Sequence, residues 1–291
     1  MRRWTVALVA VLALVAAACD APTTEIPGAG PLRYRDEIFT ATTKTKDIVY
    51  GTAPDQTGVT KTLLLDLYTP TGDTVAARPA IVWVHGGSFK SGDKTSSLIV
   101  PEAQQFARLG YVSASINYRL VSGGCAIPYT RPECVQAMID AQHDAQAAVR
   151  FLRANATTYG VDPTRIAIKG VSAGAFTALH VGFNSDDPGT SGNPDSSSAV
   201  QAAVSVSGAK LVGTAGVGDA PSLLLHGDLD TVVPYQWAVD TYNEAKAAGL
   251  ESYLTTFAGS GHAPYADHGT EMFAQTRNFF YWEMGLFAAA R

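Results

Sequence analysis

The chain has 291 residues, 46% of them hydrophobic, and a formal net charge of −5. That length and apolar content suffice for the core of one sizeable α/β domain. A mildly acidic surface disfavours nucleic acid and anionic lipid as principal partners, and no internal repeat breaks the chain into units.

The first element in chain order is a targeting segment. Arg2 and Arg3 form a positive start, and residues 6–17 are an apolar run too short to span a bilayer comfortably. Ala16, Ala17 and Ala18 supply the small residues a signal peptidase needs, and Cys19 follows directly. The pattern resembles a bacterial lipoprotein signal, although Ala16 stands where such signals usually carry Leu. Residues 1–18 are therefore expected to be a signal peptide and Cys19 a lipidated first mature residue, with plain secretion after Ala18 as the alternative. Any membrane contact is expected only through that anchor. Residues 19–40, with Pro22, Pro27, Gly28, Gly30 and Pro31, read as a tether to a folded domain over 41–291.

Within that domain, short apolar runs alternate with amphipathic stretches. Residues 47–51 and 62–68 are expected to form a hairpin. Residues 80–84, 112–116, 165–169, 199–206, 222–225 and 252–257 read as buried strands. Residues 136–159 carry apolar positions at three- and four-residue spacing and predict a helix ended by Gly160. Further helices are expected over 235–248 and 270–290. Strands alternating with helices imply a mainly parallel sheet covered on both faces, with a site at the carboxyl ends of its strands. Residues 207–221, between two core strands, are too few for a large cap. Cys125 and Cys134 flank a short loop, and an oxidising compartment permits a bridge between them.

Three segments carry chemistry, each directly after an apolar run. Gly170-Val171-Ser172-Ala173-Gly174 is a G-x-S-x-G pentapeptide between a strand and a helix, the setting in which a serine is thrust out as a nucleophile. His85-Gly86-Gly87-Ser88-Phe89 is a turn able to aim backbone N–H groups at a developing oxyanion, together with the N–H of Ala173. His85 itself is expected to pin the loop. The third segment, His226 to Pro234, offers Asp228 and Asp230 as the carboxylate that orients a base histidine. His226 is expected to be structural. The base is expected to be His262, the stronger choice for its glycine-flanked turn Gly259-Ser260-Gly261-His262. Its competitor His268 is expected to cap the last helix or to be exposed, and His143 and His180 fall on helical faces. No metal-ligand spacing occurs, and acyl transfer through a serine requires no cofactor.

These segments, with Asn117-Tyr118-Arg119-Leu120 and Asp162-Pro163-Thr164-Arg165-Ile166, resemble the α/β-hydrolase superfamily, in particular carboxylesterases of the hormone-sensitive-lipase and bacterial feruloyl-esterase-like groups. The resemblance runs from about residue 61 to 287. It implies an α/β-hydrolase fold, with Ser172 as nucleophile, His262 as base and Asp230, not Asp228, as acid. It also implies oxyanion donors at Gly87, Ser88 and Ala173, with Gly86 shaping the turn. Ser88 replaces a third glycine common in the group, and Val171 an acidic residue often found before the serine. The implied activity is hydrolysis of carboxylic esters, small or polymeric, outside the cytoplasm. The alternatives are a prolyl-oligopeptidase-like peptidase and a non-catalytic binding protein on a hydrolase scaffold. Phe89, Tyr118, Trp237 and Tyr265 are candidate pocket aromatics.

Overall fold

The computed structural model describes residues 25–126, 128–185 and 187–288; the targeting segment 1–18 and Cys19 lie outside the described residues. Eight strands form one sheet in the order β1-β2-β4-β3-β5-β6-β7-β8. β1 (Thr42–Pro54) and β2 (Thr60–Pro70) make an antiparallel hairpin, and β2 also runs antiparallel to β4 (Val112–Ile116). β3 (Arg78–Val84), β5 (Val161–Val171), β6 (Ala203–Val206), β7 (Ser222–Gly227) and β8 (Ser252–Phe257) complete a parallel run with β4.

Helices supply the crossovers. α1 (Val100–Leu109) joins β3 to β4, while α2 (Pro132–Ala154) and the single turn α3 (Ala156–Tyr159) lead to β5. α4 (Ala173–Phe183) follows β5, α5 (Tyr235–Ala247) joins β7 to β8, and α6 (Tyr265–Glu283) closes the fold. Among the described residues, no helix is inserted between β6 and β7, so no large cap stands there.

Side-chain alternation sends each strand's apolar residues to both faces, as a sheet buried on two sides requires. Ala80, Val82 and Val84 enter one core with Val149 and Leu152 of α2 and Phe176 of α4. Ile81 and Trp83 enter the other, with Phe106 of α1 and Phe279 and Phe280 of α6. Leu223 and Leu225 of β7 join the second core, while Leu224 between them packs under α5. Because the parallel strands share a direction, Val84, Val171, Val206, Gly227 and Phe257 end them on one edge of the sheet. The three chemistry-bearing segments therefore leave from the same side.

A free tether over 19–40 does not describe residues 25–40. Ile26 and Tyr34 are buried in the second core, and the Tyr34 ring meets Tyr111 edge-on at 5.2 Å. Tyr34 N–H and Phe39 N–H donate to the carbonyls of Leu109 and Arg108, and Arg33 pairs with Asp73. Two apolar anchors outweigh the Pro/Gly composition and fasten the segment beside α1.

Cys125 and Cys134 form a disulfide with Cα atoms 5.4 Å apart. Cys125 N–H donates to Ser88 O and Val121 N–H to Phe89 O, so the bridge ties the glycine-rich turn after β3 to the start of α2. Closing so short a loop is expected to stabilise the fold by about 2–3 kcal/mol through the unfolded state. Urea denaturation of the Cys125→Ser/Cys134→Ser variant measures this; a midpoint equal to that of the wild type overturns it.

Candidate active site

Ser172 sits between the end of β5 and the first turn of α4 with φ 55° and ψ −122°, a conformation that a non-glycine residue holds only when its surroundings enforce it. Here they do. Ser172 N–H donates to Val206 O of β6, and Ser172 O accepts from the N–H groups of Ala175 and Phe176. The flanking glycines are a steric requirement: a Cβ on Gly170 would overlap Gly174 O, and one on Gly174 would overlap Val84 O. The backbone is thus bent so that the Ser172 hydroxyl leaves the sheet edge.

That hydroxyl lies 2.9 Å from His262 Nε2, and His262 Nδ1 lies 2.7 Å from Asp230 Oδ2. With Asp230 ionised, Nδ1 carries the hydrogen and donates it to the carboxylate, leaving Nε2 to accept from Ser172. Burial alone would raise the Asp230 carboxyl. Hydrogen bonds from His226, His262 and the Val233 and Val232 N–H groups outweigh it and hold the carboxyl well below its ordinary value. The loop presenting His262 is itself tied down: Ala263 N–H donates to Ser207 Oγ at 2.9 Å, from the end of β6.

The two aspartates divide the work. Asp228 Oδ1 accepts Gly259 N–H at 2.7 Å, binding the loop after β7 to the loop that carries His262. Asp230 alone of the pair reaches the imidazole.

On the other side of Ser172 lies the turn of residues 85–89. A Cβ on Gly86 would lie 3.1 Å from Ser172 Cβ, so this backbone runs against the serine. Gly87 has φ +118°, a conformation open to glycine, and Ser88 and Phe89 follow at φ 53° and 57°. Among the described residues, the N–H groups of Gly87, Ser88 and Ala173 have no backbone or side-chain acceptor, whereas the Gly87 and Ser88 carbonyls are engaged by Lys90, Ser91 and Cys125. Free donors beside the Ser172 hydroxyl suit a developing negative charge. His85 stacks on Tyr118 at 4.3 Å and its Nδ1–H donates to Gly86 O at 2.7 Å. Tyr118 O–H donates to His85 O at 3.0 Å, which locks the turn from beneath. Burial holds the His85 imidazole below its ordinary value.

The remaining histidines find structural partners. His180 accepts the N–H groups of Leu211 and Val212 on Nε2, and burial pushes it down to about 3. His143 Nε2 faces Asp187, and His268 bonds Ser260 Oγ and stacks on Phe257.

The candidate pocket aromatics are placed unevenly. Phe89 is fully buried beside Tyr118 and Phe176, so it is core and lines no open surface. Tyr118 supports the turn and borders a cavity of 730 Å³ walled by Thr57, Lys61 and Ser122. Tyr265 borders a separate cavity of 200 Å³ between α1 and α6. Trp237 is half-buried against Tyr129, 6.1 Å away, and Tyr129 packs in turn on Phe176 at 5.5 Å. Tyr129 escaped the sequence reading, although its place inside the disulfide-closed loop was a usable signal.

A family model described as BD-FAE matches residues 65–219, more than half of the chain, and one described as the prolyl oligopeptidase family matches residues 189–286. A phenmedipham hydrolase of Pseudarthrobacter oxydans is 34% identical over 133 residues, 44% of this chain and 24% of that protein. The chain spans about a quarter of the length of the curated relatives it matches. A carbohydrate esterase from gut microbiota superposes with a TM-score of 0.68 at 21% identity, covering 84% of this chain and 98% of that one. Esterase 2 of Thermogutta terrifontis gives 0.68 at 24% identity, covering 87% and 96%, and has also been solved phosphorylated by paraoxon. At those identities the two structures establish the α/β-hydrolase fold.

Proposed function

This chain belongs to the BD-FAE family within the α/β-hydrolase superfamily, and from that premise we propose that it is an exported serine carboxylesterase. The observation that carries the reading is the unbroken line from Ser172 Oγ through His262 to Asp230, at 2.9 and 2.7 Å.

His262 Nε2 accepts the Ser172 proton as the hydroxyl oxygen attacks the ester carbonyl. The carbonyl π electrons move to its oxygen, which is held by the Gly87, Ser88 and Ala173 N–H groups. Collapse of the tetrahedral intermediate breaks the bond to the alcohol oxygen, which takes the proton from His262. Water then repeats the sequence on the acyl-serine, releasing the acid and restoring Ser172. Asp230 keeps the Nδ1 hydrogen in place and stabilises the imidazolium without itself taking a proton. Soluble esters, acylated sugars and exposed polymer esters are the substrate classes an uncapped site admits. Export is supported by the targeting pattern of residues 1–18, with Cys19 as the anchor point, and by the disulfide.

The match of the prolyl oligopeptidase family to residues 189–286 gives a peptidase some claim. A fluorophosphonate probe is expected to label Ser172 in the wild type and to leave Ser172→Ala unlabelled, as mapped by peptide mass spectrometry. An unlabelled wild type sinks the enzyme reading in favour of a binding protein. Nitrophenyl esters are expected to turn over faster than aminoacyl nitroanilides of matched acyl group; the reverse order favours the peptidase.

A further inference from the structure

His226 lies at the end of β7, fully buried. Its Nε2 is 3.0 Å from Val233 O and 3.2 Å from Asp230 Oδ2, while its Nδ1 is buried with no hydrogen-bond partner. A carbonyl oxygen can only accept, so the hydrogen resides on Nε2 and Nδ1 is the bare nitrogen. That single hydrogen is donated to Val233 O, and the carboxylate oxygen that already accepts from His262 stands 3.2 Å from the same nitrogen. Leaving a ring nitrogen unpartnered in the interior is unfavourable. An apolar side chain of similar size would fill the same space without that cost, so what the ring adds over such a side chain is its Nε2–H. Tyr235 holds it edge-on at 5.9 Å, and the Tyr235 hydroxyl is itself fixed on Thr256 Oγ1 at 2.6 Å.

We propose that His226 is a positioning residue for ester hydrolysis: its Nε2–H fixes Asp230 Oδ2 in line with His262 and draws charge away from the His262–Asp230 bond. The proposal rests on the reading of Ser172, His262 and Asp230 given above. Asp230 has both oxygens engaged, Oδ1 by the Val232 and Val233 N–H groups and Oδ2 by the two histidines. A carboxylate with so many donors is a weaker base. The Nδ1 hydrogen therefore stays on His262 while the imidazolium passes its other proton to the departing alcohol.

The other titratable groups facing this cluster are Tyr235 of α5 and Tyr129 of the 125–134 loop, whose phenol is raised by burial and by Asp230. Asp228, on the loop after β7 that also carries Asp230, is occupied by Gly259, and His268 of α6 by Ser260.

Two variants separate positioning from packing. His226→Leu keeps bulk and removes the donor; His226→Gln restores an N–H near Nε2. With the donor gone, Asp230 becomes more basic and holds the imidazolium more tightly. The acid limb of kcat/KM should move to higher pH by about half to one unit in the leucine variant, the scale of one hydrogen bond to a carboxylate. The glutamine variant is expected to return the limb toward the wild-type position. A folded leucine variant whose limb and turnover match the wild type overturns the role of His226, while Ser172 labelling that persists leaves the esterase reading intact. If the leucine variant does not fold, NMR on the wild type decides. The His226 ring proton should be found on Nε2 and should move upfield in Asp230→Asn; a proton on Nδ1, or a resonance indifferent to Asp230, overturns the proposal.

Discussion

Asp230→Asn is expected to lower kcat by about four orders of magnitude, whereas Asp228→Asn changes it only a few-fold, the scale of one altered exposed hydrogen bond. The asymmetry follows from what each carboxylate touches. An asparagine at position 230 can still accept the Val232 and Val233 N–H groups that Oδ1 accepts now, so the loop keeps its shape. Its amide N–H₂, however, would face His262 Nδ1. The imidazole then does best with Nδ1 bare and Nε2 protonated, and Nε2 can no longer accept the Ser172 proton. Asp228 touches Gly259 N–H instead, and an asparagine there can accept the same bond. Initial rates on a nitrophenyl ester, with thermal melts to confirm folding, measure both variants. A crippled Asp228→Asn beside an active Asp230→Asn would reverse the assignment of the acid.

The parts of the fold that were legible in the sequence are those in which a short apolar run meets a glycine. β3 into His85-Gly86-Gly87, β5 into Gly170-Val171-Ser172 and β7 into His226-Gly227 each run from buried strand residues into a turn whose glycines lie against neighbouring backbone. Misreadings arose where polarity or composition masked packing. β1 extends over Thr42–Pro54, well beyond the expected 47–51, because its polar residues pair along the exposed face of the hairpin with shifts of register. α1 went unread although Pro101 stands in its first turn and Gly110 ends it at φ 112°. Residues 199–202 are loop rather than strand, and Gln201 spends its side-chain oxygen on Ile166 N–H. α6 starts at Tyr265, five residues before the expected 270, directly after Pro264.

For the site, a linear motif identifies a nucleophile, but partners contributed by separate strand ends follow no spacing rule. Ser207, at the end of β6, holds Ala263 N–H from a different strand end, a contact that only the parallel sheet brings about. The choice between Asp228 and Asp230 was of the same kind: within the loop the two are equivalent by chemistry, and the position of His262 distinguishes them.

Gly174→Ala is expected to destabilise the protein by roughly 3 kcal/mol or more, at the upper end of overpacking costs, although alanine is the better helix former. The added Cβ would overlap Val84 O and stand 2.6 Å from Val84 C and 2.7 Å from His85 O. All three are backbone atoms, and neither side can yield cheaply. Val84 is paired to both Ile116 and Gly170 at the centre of the sheet. The first turn of α4 is closed on Ser172 O. Relief must therefore come by lifting α4, which shifts Ser172, or by displacing the turn after β3, which shifts Gly87 and Ser88. Either route couples lost stability to slower fluorophosphonate labelling in the protein that remains folded. Gly269→Ala is the control: it lies within α6 with nothing inside 4 Å of the added Cβ, and is expected to gain up to about 1 kcal/mol from helix propensity alone. Urea denaturation of the two variants should therefore move in opposite directions. A Gly174→Ala protein as stable and as quickly labelled as the wild type would mean that β3 and α4 do not meet at the nucleophile as closely as described.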